Sequence, residues 1–158
     1  MKLDHAWIAA HIPHHGGMCL LDEVLTWDLQ RICCRSTSHR APDNPLRAHN
    51  RLGAACAVEY AAQAVAVHGA LMRSPPATSS GFGMLTSARR VEFAVARLDD
   101  LATDLRVSAQ RLHSDAVSAL YAFTLQDGAR LVAQGRLSLL HAPLVSANTS
   151  GAPGSSAR

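Results

Sequence analysis

The sequence predicts an α+β fold in which one long central helix is wrapped by a largely antiparallel sheet. Three observations lead there. Residues 54–72, "AACAVEYAAQAVAVHGALM", are strong helix formers broken only by Glu59, Gln63, His68 and Gly69. A helix that is apolar on nearly every side has to be buried on nearly every side. No apolar run is long enough to cross a membrane unbroken, so protein must supply that burial. Four strand-like runs then follow one another without an intervening helix, the order of an antiparallel sheet and not of parallel β-α-β units.

The elements follow in order. Asp4 is placed to cap a short helix over "HAWIAAHI", which Pro13 ends. Met18 to Trp27 reads as a strand carrying Leu20, Leu21, Val24 and Leu25, and Arg31 to Ser38 as its hairpin partner. Residues 39–53, "HRAPDNPLRAHNRLG", are rich in turn formers and read as a loop. The long helix comes next, then a second loop over "RSPPATSSG", residues 73–81. The strands that follow are Met84 to Ala94, Leu101 to His113, Ala116 to Leu125 and Arg130 to Leu140, the last pair joined at Asp127-Gly128. Residues 1–142 are expected to form a single domain, and the Ser/Gly/Pro/Ala-rich residues 143–158 a disordered tail. One helix on one sheet leaves strand edges and apolar surface open, so a dimer is expected.

Composition narrows the function. Apolar residues make up 48% of the chain and aromatics only 4%, so the core is built of Ala, Val and Leu. A net charge of +3 without a Lys/Arg run argues against nucleic acid, while suiting an acidic protein partner. Arg89 and Arg90 read as a solvated face or as an attraction for such a partner. Cys19, Cys33, Cys34 and Cys56 form no C-x-x-C pair and read as reduced, small apolar residues of a cytoplasmic protein. His5, His11, His14 and His15 cluster without the ligand spacing of a zinc site, so neither metal nor other cofactor is expected.

Several stretches resemble a known family. "IPHHGGMCLLDEVLTWD" is similar to the "LPHR-P-LLVDRV" opening of the 3-hydroxyacyl-(acyl carrier protein) dehydratases, which have the hot-dog fold. "NPLRAH" followed by "VEYAAQAVA" resembles that family's "EPFF-GH" loop and "EALAQ" helix. "ARRVEF" and the closing "DGARLVAQGRLSL" resemble its last strands, so the likeness runs over roughly residues 12–141. The "PH-G-M-LLD" opening and the "EYAAQA"-type helix bring the chain nearest to the dehydratase-like proteins of aryl-polyene and related pigment pathways. One departure stands out. The connection "HNRLGAACAVE" between His49 and Glu59 is shorter than the family's and has no proline.

The resemblance implies dehydration of a 3-hydroxyacyl thioester, carried on acyl carrier protein, to the trans-2-enoyl thioester. That reaction needs a base for the α-proton, an acid for the departing hydroxyl, and donors for the charge that develops on the carbonyl oxygen. Glu59, alone in an apolar helix, is the candidate acid, unless it sits at an exposed edge or pairs with an arginine; Gln63, one turn on, is placed to orient it. His49 is the candidate base, or else a solvated loop residue, with Gly53 and Ala54 as backbone donors at the helix start. His39 is the alternative base, and His14 is expected to line or support the site unless it is only a polar loop residue. His68 falls on the far side of the helix from Glu59 and reads as a core or interface residue. The resemblance further implies that the histidine and glutamate of one site come from opposite subunits of a homodimer, a larger assembly of dimers, or a hetero-oligomer with a related dehydratase. Two other readings stand beside this one: an acyl thioesterase, and a non-catalytic subunit partnering an active dehydratase, which the short loop after His49 favours.

Overall fold

The structure, a computed structural model, describes residues 1–73 and 83–141. Asp4 caps helix α1 (His5–His11), its carboxylate accepting the Trp7 N–H at 3.1 Å. A single 3-10 turn, Gly16–Met18, leads towards strand β1 (Glu23–Trp27), which pairs with β2 (Arg31–Ser36). After the loop, which opens on a 3-10 turn at Ser38–Arg40, and a further 3-10 turn at Ala54–Cys56, helix α2 runs over Ala57–Met72. Four strands complete the described residues: β3 (Gly83–Phe93), β4 (Leu105–Ser114), β5 (Ser118–Asp127) and β6 (Arg130–His141). The six strands form one antiparallel sheet in the order β1-β2-β4-β5-β6-β3.

Helix α2 lies on one face of this sheet, in contact with β2, β3, β4 and β5. Its Ala57, Tyr60, Ala61, Ala64, Val65 and Val67 are buried against alternate residues of the strands, such as Leu105 and Val107 of β4 and Tyr121, Phe123 and Leu125 of β5. The all-round apolar helix thus finds its burial inside a curved sheet, and the arrangement is the hot-dog fold. Residues 74–82 and 142–158, which hold most of the predicted second loop and the whole predicted tail 143–158, lie outside the described residues.

The strands differ from their sequence-based bounds mainly at the start. β1 begins at Glu23 and not Met18, because Gly16 at φ +57° turns the chain and the Leu20 N–H and C=O are bonded to side chains. The Ser36 and Ser38 hydroxyls donate to Leu20 O at 2.6 and 2.8 Å. Asp22 accepts from both the N–H and the hydroxyl of Thr37. Side-chain bonding of the backbone here replaces a strand ladder.

Gly135 faces Phe123 across the β5–β6 pair. A Cβ built there would lie 3.0 Å from Phe123 Cε1 and 3.0 Å from Val91 Cγ2. Phe123 is buried and has nowhere to retreat. Gly135→Ala should therefore cost roughly 1–3 kcal/mol of stability by overpacking, read as a lower denaturant midpoint at unchanged slope.

His68, on the side of α2 away from Glu59, is a core residue. Its Nε2 donates to Asp28 O at 2.8 Å, so its Nδ1 accepts from the Tyr121 hydroxyl at 2.9 Å. This neutral ring ties the β1–β2 turn to the helix. Burial holds its pKa below the ordinary histidine value, and burial does the same to His39, with Arg40 adding to the effect. The unfolded chain therefore takes up these protons first as the pH falls. Stability should be intact above about pH 6.5, the ordinary histidine value, and fall as the pH drops below it. Melting curves at stepped pH check this, and His68→Gln should flatten the slope.

The four cysteines are free. Burial raises the thiol pKa of Cys19, Cys34 and Cys56, in keeping with small apolar filling rather than reactive thiolates.

Candidate active site

The site is built at the start of α2. Glu59 occupies the first turn of the helix and Gln63 stands one turn later on the same face. Gln63 is fully buried, and its amide orientation follows from its partners. The Leu20 N–H can only donate, so it meets Gln63 Oε1, at 2.9 Å. The two Nε2 protons then go to Met18 O at 2.7 Å and to Glu59 Oε1 at 3.1 Å. Gln63 therefore locks the glutamate to the 3-10 turn that precedes β1.

The imidazole brought to this carboxylate is that of His14. Its Nε2 lies 3.0 Å from Glu59 Oε1 within one chain. His15 is in extended backbone, and the glycine turn at Gly16–Met18 folds the chain back so that Met18 can reach Gln63. Both Gln63 and His14 engage Oε1, and among the described residues nothing engages Oε2. The pair is half-buried, with side-chain exposures of 25% for His14 and 31% for Glu59. His14 Nδ1 is buried and unpaired. A proton on His14 Nε2 accounts for the contact, Oε1 accepting from both Gln63 and His14, and a neutral Glu59 then carries its own proton on Oε2. The arrangement is chemically able to give or take a proton at Glu59 Oε2 while His14 balances the charge.

The other predicted residues fall elsewhere in the chain. His49 is exposed, on a two-residue turn closed by Ala48 N–H to Arg51 O at 2.9 Å and Arg51 N–H to Ala48 O at 3.1 Å. Both central residues are left-handed, His49 at φ 51° and Asn50 at φ 58°, a conformation that non-glycine residues hold only where neighbours enforce it. The neighbours are visible. Arg47 Nη2 donates to Asn50 O at 3.1 Å, Leu52 N–H to Asp99 Oδ1 at 2.9 Å, and Leu98 N–H to Leu52 O at 2.8 Å. Asp99 is bound by Arg97, which holds its carboxyl well below the usual range.

Within this chain His49 is not part of the His14–Glu59 contact. The Ala54 N–H, expected as an oxyanion donor, is already bonded to Ala96 O at 3.1 Å, because the helix start is stitched to residues 96–98. The neighbouring Gly53 N–H carries no such backbone bond. His39 is completely buried, beside the Thr103 backbone, and is closed to substrate in this conformation.

Metal ligation gains no support from the geometry. His5 Nδ1 donates to Leu21 O at 2.9 Å and His11 Nδ1 to Trp7 O at 2.7 Å, so both rings serve the backbone. Among the described residues no group of three or more His, Cys, Asp or Glu side chains is placed to hold an ion. No helix among them is long and apolar enough to cross a membrane.

His14, expected to line or support the site, is the imidazole set against Glu59. The glycines of the "PHHGG" opening supply the turn that puts this imidazole against the helix.

The fold has counterparts among solved structures. The dehydratase heterocomplex ApeI:P from Xenorhabdus doucetiae matches with a TM-score of 0.75 at 22% identity, over 87% of this chain and 91% of that one. Zebra fish thioesterase superfamily member 2 matches with a TM-score of 0.59 at 15% identity, over 87% and 95%. A thioesterase mutant from Pseudomonas aeruginosa matches with a TM-score of 0.57 at 14% identity, over 77% and 81%. At such identities these likenesses establish the fold alone. No curated protein sequence matches the chain. The ApeP-like family model, described as ApeP dehydratase, matches residues 6–149, the span that contains the sheet, the wrapped helix and the His14–Glu59 pair, and the chain therefore belongs to the ApeP-like dehydratase family.

Proposed function

We propose that the chain takes part in dehydrating a 3-hydroxyacyl thioester, carried on acyl carrier protein, to the trans-2-enoyl thioester. The observation that supports this reading is the joint hold of His14 and Gln63 on a single oxygen of Glu59. Glu59 Oε2 is left to face the substrate. In the neutral form it protonates the departing β-hydroxyl, which leaves as water, and a base removes the α-proton as the double bond forms. His14 stabilises the carboxylate once its proton has gone, a different part from the α-proton base assigned to His49. Gln63 is a positioning residue, holding Oε1 so that Oε2 keeps one direction.

The half-exposed pair implies a cover. We infer that a second subunit closes the site, either another copy of this chain or a related dehydratase. His49, held on its strained turn, is then a residue for that interface. The reading also places the protein in the cytoplasm, where its carrier-bound substrate is made.

A second reading has a specific observation behind it. With His49 outside the protomer's own site and its loop short, the chain serves as the non-catalytic partner in a hetero-oligomer and shapes the site of an active subunit. The likeness to one chain of a dehydratase heterocomplex supports this as well. Supplying the purified chain with a 3-hydroxyacyl thioester separates the readings. A new enoyl absorbance supports the dehydratase, free thiol supports a thioesterase in which Glu59 activates water, and neither product supports the partner subunit.

A further inference from the structure

The sheet has a second face, turned away from α2, and the charges on it are unbalanced. Register alignment sets Arg31, Gln110, Ala122, Arg136 and Arg89 in one row across β2, β4, β5, β6 and β3. Neighbouring strands lie about 4.8 Å apart, so the row spans roughly 19 Å. Arg89 and Arg136 stand directly opposite each other, both exposed. Such a like-charge pair is unfavourable unless an anion lies between. Arg90, beside them, is held in the left-handed region at φ 52° in the bulge of β3. Arg106, four residues before Gln110 on β4 and so on the same face, adds a further exposed guanidinium.

The other arginines show that this is not the rule in this chain. Arg35 binds Glu23 at 2.7 Å and Asp104 at 3.1 Å, Arg40 binds Asp104 at 2.5 Å, and Arg97 binds Asp99. Among the described residues Arg89, Arg106 and Arg136 lie within ion-pair distance of no carboxylate. Of the acids on this face, Glu23 is paired with Arg35, and Glu92, which accepts from the neutral Gln134 amide at 2.8 Å, keeps one negative charge against the guanidinium groups of Arg89, Arg136 and Arg106. Arg31, at the far end, is near Asp28 and is only partly offset. Between the basic groups lies a depression of about 400 Å³, lined by Arg31, Cys33, Ser108, Gln110, Ala122 and Thr124 among others.

We propose that this outer face, centred on Arg89, Arg136 and Arg106, docks an acidic protein surface whose carboxylates pair with the guanidinium groups. The charge pattern selects the occupant. A second copy of the same face would bring arginine against arginine. Single strands of nucleic acid bind sheet faces through aromatic side chains on which bases stack, and these cross-strand rows carry none. The planar guanidinium matches a carboxylate with two parallel hydrogen bonds, which an ammonium does not. This assignment is independent of the activity proposed above, since it concerns the opposite side of the sheet from α2.

The test is binding of a short fluorescent polyglutamate peptide to the full chain at low salt, followed by anisotropy. Binding should weaken at least about tenfold in R89E/R136E and in R106E, and fall steeply with added salt. R130E, which changes an exposed arginine outside the row, serves as the control and should bind as wild type does. Unchanged melting temperatures confirm that the variants are folded. Absence of binding to the wild-type chain, equal loss in R130E, or binding unaltered in both R89E/R136E and R106E would overturn the proposal. So would tighter binding of oligothymidine or of anionic vesicles than of the peptide.

Discussion

Glu59→Gln should abolish nearly all enoyl formation while leaving the protein folded. The expected loss in kcat is about 10²–10⁴-fold, the range associated with removing a positioned general acid or base. The substitution keeps the shape of the side chain and keeps an oxygen to accept the Gln63 and His14 bonds, which are 3.1 and 3.0 Å long in the native chain. It removes only the ability to carry and release a proton at Oε2. Because Glu59 is about one-third exposed, no buried charge is stranded or relieved, and the denaturant midpoint should move little. A large loss of stability would instead mark Glu59 as a structural anchor of the Gly16–Met18 turn.

His14→Ala should come next in effect, lowering kcat by about 10²–10³-fold. His49→Ala in the same assay should fall within about threefold of wild type, since it touches neither oxygen of Glu59 in its own chain. The contrast decides between the two histidines. A loss on His49→Ala matching that on His14→Ala would bring the partner subunit's turn into the chemistry. The readout should separate kcat from KM, because a histidine that merely shapes the mouth would raise KM alone. His14→Gln, with a nitrogen donor near the same place, should recover part of the binding but not the turnover.

Much of this was legible from residue patterns. The helix announced itself through the lack of polar positions over residues 54–72, and its polar exceptions, Glu59, Gln63 and His68, proved to be the residues with specific partners. The Asp127-Gly128 hairpin and the Asp4 cap follow from local chemistry that no tertiary contact overrides. Two features were not legible. The 3-10 turn before the helix, Ala54–Cys56, rests on a backbone bond from Ala54 to Ala96, and the late start of β1 on side chains that reach Leu20 from remote parts of the chain. The choice of imidazole was equally closed to sequence spacing. His14 lies 45 residues before Glu59 and His49 only ten, yet the glycine turn and the Gln63 bridge, not proximity along the chain, bring the former to the carboxylate. The spent amide of Ala54 has the same origin, a bond to Ala96 that only the fold supplies.

The reading rests on His14 and Glu59 acting as one acid–base unit. The most direct test compares the double variant H14A/E59Q with each single variant on the same 3-hydroxyacyl thioester, with the subunit composition of the active assembly held fixed. Groups that act as a unit are strongly non-additive. The double variant should be no slower than the worse of the two singles. A loss equal to the product of the single losses would contradict the account and separate the two residues into independent roles.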